Sequence, residues 1–152
     1  MPTDAQYSVR RLRDGDRDRW LDLWAGYLSF YRAEIPDHVT EVTFQRLRDG
    51  SEGVLGLVAI EPDGEPVGLA HLVFHPSTWA THGYCYLEDL YVDRSARGGD
   101  VSRALFDAVF AEARTRGSAR VYWHTQQFNG AARSLYDTVG QLTSMVEYEV
   151  RL

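Results

Sequence analysis

The sequence predicts a single α/β (α+β) domain over residues 1–152, built on a mixed, mostly antiparallel sheet of six to seven strands flanked by about four helices. Three observations point to it. Apolar runs at residues 53–60, 66–74 and 84–92 are separated by short, turn-rich segments, the pattern of an antiparallel meander. A strand at 86–92, a basic glycine turn and an amphipathic helix precede a second strand, and such a crossover implies parallel pairing. Near the N-terminus, Trp20, Leu23, Trp24, Tyr27, Leu28 and Tyr31 recur at helical spacing.

Residues 7–12 alternate enough for a first strand, and Asp14-Gly15-Asp16 turns into a helix running to about residue 30. Pro36 interrupts, leaving 31–36 as a loop. Asp37 can cap a second helix carrying Val39, Val42, Phe44 and Leu47, which Gly50 ends. Pro62-Asp63-Gly64-Glu65 has hairpin-turn chemistry. Residues 75–83 read as a loop before the strand at 84–92. Val101, Leu105, Val109 and Phe110 mark a helix over 100–116 that Gly117 stops, followed by a strand at 119–125. A short helix over 129–139 ends at Gly140, and the tail 142–152 supplies one or two last strands. No repeat, linker or low-complexity tract divides the chain.

Composition narrows the function classes. A formal charge of −6 argues against a nucleic-acid partner. No apolar run approaches membrane-spanning length, and the N-terminus has no secretory signal pattern, so a cytoplasmic setting without membrane contact is expected. One cysteine, Cys85, excludes an intrachain disulfide, and the five histidines show no ligand spacing, so no metal site is expected. All 16 basic residues are arginine, which reads as genomic base composition or, for a lysine-modifying enzyme, as escape from self-modification.

The turn after the strand at 86–92 is the chemical focus. Arg97-Gly98-Gly99 opens a helix whose N-terminal N–H groups suit an anion, most simply phosphate, and Arg94 and Arg103 add charge. Where the meander strand meets its parallel neighbour, a ligand can lie between Leu90-Tyr91-Val92 and Trp123-His124-Thr125, pairing with open strand backbone. A phosphate at one end and an amide arm at the other describes coenzyme A.

On these residues the sequence resembles the Gcn5-related N-acetyltransferases. Tyr86-Leu87-Glu88-Asp89-Leu90-Tyr91-Val92 looks like the family's central strand, and Arg97 opens its pyrophosphate loop. Asn129-Gly130-Ala131-Ala132-Arg133-Ser134-Leu135-Tyr136 looks like its late helix. Phe74-His75-Pro76-Ser77-Thr78-Trp79 and Phe30-Tyr31-Arg32-Ala33-Glu34 are similar to the branch containing spermidine/spermine acetyltransferases and the histone-and-other-protein acetyltransferases. The resemblance implies acetyl-CoA as cofactor, contacted by Leu90, Tyr91, Val92, Arg97, Gly98, Gly99, Asp100, Val101, Ser102, Arg103 and Asn129. Two of these depart from the family loop. Ser102 replaces a small apolar residue, and Asp100 stands where the family has glycine. That change removes glycine's access to positive φ and sets a carboxylate near phosphate, or else Asp100 caps the helix.

Acetyl transfer needs a neutral amine, a polarised thioester carbonyl and a proton for the departing thiolate. The resemblance makes Glu88 the base, against the reading of a strand acid facing solvent; alternation turns Asp89 to the opposite face. It makes Tyr136 the acid, against that of a core tyrosine. A backbone N–H around Leu90–Val92 would polarise the carbonyl. Trp24, Tyr27 and Tyr31 form an aromatic stripe that reads first as core or, with Glu34, His75, Trp79 and His124, as the wall of a pocket for a cationic amine. His71 and His124 read as packed or hydrogen-bonded rather than catalytic, and nothing near Cys85 marks it as a nucleophile. The implied activity is transfer of acetyl from acetyl-CoA to a small primary amine, such as a polyamine or amino acid, by direct attack; a protein lysine is a second acceptor class. A homodimer is compatible with this reading. The alternative is a binding or regulatory domain of the same fold that has lost acetyl-CoA use through Asp100.

Overall fold

The computed structural model describes residues 7–62, 64–97 and 100–152. Among them five strands form one sheet in sequence order: β1 (Ser8–Arg11), β2 (Val54–Ile60), β3 (Pro66–Ser77), β4 (Ala80–Val92) and β5 (Val121–Tyr122). The first four pair antiparallel, and β4 pairs parallel with β5 through Cys85–Val121 and Tyr86–Tyr122. Four helices cover the sheet: α1 (Arg17–Phe30), α2 (Asp37–Asp49), α3 (Val101–Thr115) and α4 (Gly130–Val139).

The near-continuous apolar run of β2 follows from burial on both faces. One core joins Trp20, Leu23, Trp24, Phe44 and Leu47 of α1 and α2 to Val58, Ile60 and Leu69. The other joins Leu55, Leu57, Ala70, Leu72, Cys85 and Leu87 to Leu105, Phe106 and Val109 of α3. The α3 stripe Val101, Leu105, Phe106, Val109 and Ala113 is buried throughout, as its spacing requires. Gly50 ends α2 in the left-handed region at φ 67°, where its N–H reaches the Arg46 carbonyl. No helix among the described residues is long and apolar enough to cross a membrane.

The sheet departs from the sequence expectation in four places. Residues 75–83 are not a loop: β3 and β4 continue to Ser77 and Ala80. Pro76, which has no N–H for the ladder, falls where the register shifts between His75 and Ser77. The parallel strand is only two residues long, and the tail 141–152 forms no strand, so five strands replace the expected six or seven. Its alternation supplies a strand pattern, but β5 offers too short a regular edge for the tail to extend. Leu142, Met145, Val146, Tyr148, Val150 and Leu152 all lie exposed.

The fourth departure shapes the site. His71 pairs with Asp89 but Leu72 pairs with Leu87, so Glu88 is an extra residue, a β-bulge. Beyond it the alternation is reset. Leu87, Leu90 and Val92 all meet the α3 core, whereas Tyr91 packs on the α1 side. The expectation that Asp89 turns away from Glu88 therefore fails.

Candidate active site

Regular β4–β5 pairing ends at Tyr86 and Tyr122, and no β5 residue pairs with Leu87 onward. The two chain segments part there and leave a pocket of about 530 Å³. Leu87, Glu88 and Leu90 form one wall, and Trp123, His124, Thr125 and Gln126 the opposite one. Tyr27 and Tyr31 close it from α1 and Tyr136 from α4, while Glu147 and Arg151 of the tail border it.

Glu88 and Tyr136, the two residues expected to do chemistry, thus share one pocket. Partial burial raises the Glu88 carboxyl above its ordinary value, and the Asp89 charge adds to this. Burial, with a smaller push from Tyr31, drives the Tyr136 phenol up to about 12, so it is protonated at neutral pH. Its ring stands edge-on to Phe106 and Trp123, each centroid 5.8 Å away. Asn129 caps α4, accepting from the Ala132 N–H at 3.4 Å, and its amide lies 3.5 Å from the Thr125 hydroxyl. The cap therefore ties the Tyr136 helix to the pocket's far wall.

Behind the α1 wall lies a polar chain that sequence reasoning missed. The Trp20 indole N–H donates to His71 Nε2 at 3.1 Å, and His71 Nδ1 lies 2.9 Å from Asp89 Oδ2. The Tyr27 phenol is raised by burial first and then by the Asp89 charge. Tyr86 stacks on Tyr122 at 4.9 Å, its hydroxyl lies 3.1 Å from His124 Nδ1, and burial drives its phenol up to about 12.

The remaining expected residues divide. Leu90 lines the pocket, but the Val92 side chain is core and Tyr91 turns toward α1. Arg97 Nε donates to the Val92 carbonyl at 3.1 Å, and its guanidinium lies 5.4 Å from the Tyr91 ring centre. Gly98 and Gly99 lie outside the described residues. Asp100 is exposed at the N-cap of α3; its side chain makes no capping bond, and its φ of −89° does not call for glycine. The side-chain cap and the loss of a positive-φ position are therefore both corrected. Val101 is buried core; Ser102 and Arg103 sit in the first turn of α3.

Among the expected acceptor residues, Tyr27, Tyr31 and His124 reach the pocket. Trp24 does not: at 6% exposure it is stacked between Trp20 and Tyr27 in the core. Glu34 is exposed on the loop after α1 and is not part of the pocket wall. His75 lies 2.6 Å from the Tyr122 hydroxyl, and Trp79, 85% exposed, stands at the hairpin tip. At about 3.3 Å per residue, that tip is roughly 25 Å along β4 from Leu87.

The model of the acetyltransferase (GNAT) family matches residues 19–140. The chain is 32% identical over 142 residues to the D-amino-acid N-acetyltransferase of Saccharomyces cerevisiae, covering 93% of this chain and 88% of that one. It is 30% identical over 146 residues to the aminoglycoside N(6')-acetyltransferase type 1 of Klebsiella aerogenes, covering 90% of each. A solved structure of the ribosomal-protein-alanine N-acetyltransferase from Brucella melitensis superposes with a TM-score of 0.80 at 20% identity, over 97% of this chain and 99% of that one.

Proposed function

The chain belongs to the Gcn5-related N-acetyltransferase family, and from that premise we propose that it moves an acetyl group from acetyl-CoA to the primary amine of a small cationic molecule by direct attack. One observation carries the reading: Glu88 and Tyr136 line a single pocket, at the point where β4 and β5 part. The residues fit the donor. Backbone of β4 beyond Tyr86 has no β5 partner and suits an amide-bearing arm, as an added strand would. The N-terminus of α3, with Arg103 in its first turn, would hold phosphate. When bound, acetyl-CoA supplies the acetyl thioester and carries away the sulfur.

The chain's own residues manage the protons. Glu88 accepts one from the attacking amine, directly or through a water, and its raised carboxyl is the better base for it. A β4 backbone N–H polarises the carbonyl. Tyr136 donates to sulfur as the C–S bond breaks and the N–C bond forms. A covalent acetyl-enzyme is disfavoured by Cys85, which is buried with its thiol pushed up to about 11.

For the acceptor, the faces of Tyr27, Tyr31 and Tyr86 beside Glu88 and Glu147 suit an ammonium group. Amino acids and aminoglycosides, named in the relatives' activities, are amines of this class, as are polyamines. The test is isothermal titration with acetyl-CoA, then thiol release across a panel of amines. Binding, with release dependent on an amine, is the expected result. No binding and no release would sink the proposal, and double-reciprocal lines that stay parallel would overturn direct attack.

A further inference from the structure

The buried histidine of β3 is the group the chemistry above leaves unused. His71 is 3% exposed, with its ring 5.9 Å from that of Trp20 and 5.2 Å from that of Trp24. An indole N–H can only donate, so the bond from Trp20 makes His71 Nε2 the acceptor and leaves the proton on Nδ1. Nδ1–H then donates to Asp89 Oδ2. Asp89, its side chain 13% exposed, is the neighbour that the bulge brings to the same side as Glu88.

We propose that His71 and Asp89 are positioning residues for acetyl transfer: His71 fixes the Asp89 carboxylate, which places negative charge beside Glu88. The acceptor side then carries two acids with different tasks. Asp89, held from behind by His71, is committed to geometry. Glu88, at the bulge and in the pocket, is left to exchange protons. The inference rests on the reading of Glu88 as the base.

Several groups face Glu88 and bear on its titration. Asp89 and Tyr86 share its strand, and His71 lies behind it on β3. Tyr27 and Tyr31 face it from α1 and Tyr136 from α4. His124, Glu147 and Arg151 border the same pocket from the far wall and the tail. Of these, Asp89 is the adjacent negative charge that raises Glu88 most, so removing that charge has a defined sign.

The test is a carboxyl-carbon titration of Glu88 by nuclear magnetic resonance in the protein without acceptor, assigned with Glu88→Gln. In Asp89→Asn the Glu88 transition moves to lower pH, and kcat falls by roughly tenfold, the cost of one mis-set hydrogen bond. His71→Asn, whose amide nitrogen falls near the place of imidazole Nδ1, retains most of the turnover, whereas His71→Leu loses it to the same degree as Asp89→Asn. Nitrogen spectra of the wild-type imidazole show the proton on Nδ1. An unmoved Glu88 transition in Asp89→Asn, or a proton found on Nε2, overturns the proposal. Should His71→Leu fail to fold, the Asp89→Asn titration decides alone. That titration needs no turnover, so a protein that acetylates no amine sinks the functional reading without touching the measured coupling.

Discussion

Tyr136→Phe removes one oxygen and little else. The ring's edge-on contacts with Phe106 and Trp123 survive in phenylalanine, so stability should change by no more than about 0.5 kcal/mol. The chemistry should change far more. Burial drives the phenol up to about 12, while a free thiol sits near 8.5, so full proton transfer to the leaving thiolate is uphill by roughly 5 kcal/mol. Tyr136 therefore acts by donating a hydrogen bond to sulfur as charge accumulates, not by an early, complete transfer. Such a bond to a charged group is worth about 1.5–3 kcal/mol, which predicts a fall in kcat of roughly 10- to 150-fold. The KM for acetyl-CoA should stay within about twofold, because the bond strengthens only in the transition state. The assay is single-turnover acetylation with acetyl-CoA and with an acetyl thioester of a more acidic thiol. The acidic leaving group needs less help, so the variant's deficit should shrink with it. Wild-type kcat should show no basic limb from this phenol between pH 7 and 10, since it stays protonated until about 12. Full turnover in the variant, or a deficit independent of leaving group, would refute the assignment.

Three other perturbations have defined signs. In Gly26→Ala the new methyl would meet the Tyr91 hydroxyl at 2.5 Å, so α1 or Tyr91 must shift at a cost of about 1–3 kcal/mol; thermal unfolding should show the loss, and Tyr91→Phe should recover part of it. The Arg10 guanidinium, bonded to Asp16 at 2.7 and 2.8 Å, holds that carboxyl below its ordinary value. A depressed folded value means that the stabilisation is complete above the unfolded value near 3.9 and is lost as pH falls through the folded one. Asp16→Asn should thus cost roughly 1.5–3 kcal/mol at pH 7 and flatten the acid limb of stability, as read by denaturant midpoints. Asp100→Gly should tighten acetyl-CoA about fivefold at low salt, since an exposed carboxylate about 5 Å from a phosphate charge costs roughly 1 kcal/mol in water-like surroundings. Titration calorimetry at two ionic strengths checks it, and equal affinities at low salt would mean that the carboxylate faces away from phosphate.

Helices and strand order were legible because burial is periodic: the stripe Val101, Leu105, Val109 faces one core, and Trp20, Leu23 and Trp24 face the other. Trp24 at helical spacing reads first as core and only then as pocket wall, and stacking with Trp20 and Tyr27 decides for core. The hairpin was hidden by Pro76, which signals a break in sequence yet fits a register irregularity. The tail was over-read because alternation specifies a strand's faces but not its partner. Trp79 followed from resemblance alone, and the length of β4 carries it away from the pocket.

The bulge at Glu88 was not legible, because Leu87 and Leu90, three apart, would serve equally on the two faces of a strand buried on both sides; the structure puts both against the α3 core, which needs the extra residue. Once it is inserted, both core leucines return to the α3 side, and Glu88 and Asp89 come to lie with His71, Tyr27 and the pocket. Parallel pairing with β5 stops two residues before Glu88, at Tyr86. A single inserted residue thus stands at the mouth of the gap and fixes which acids face it. Deleting Glu88 would restore regular alternation between Leu87 and Leu90 and leave Asp89 opposite His71, so the base would be lost while the His71–Asp89 contact keeps its register.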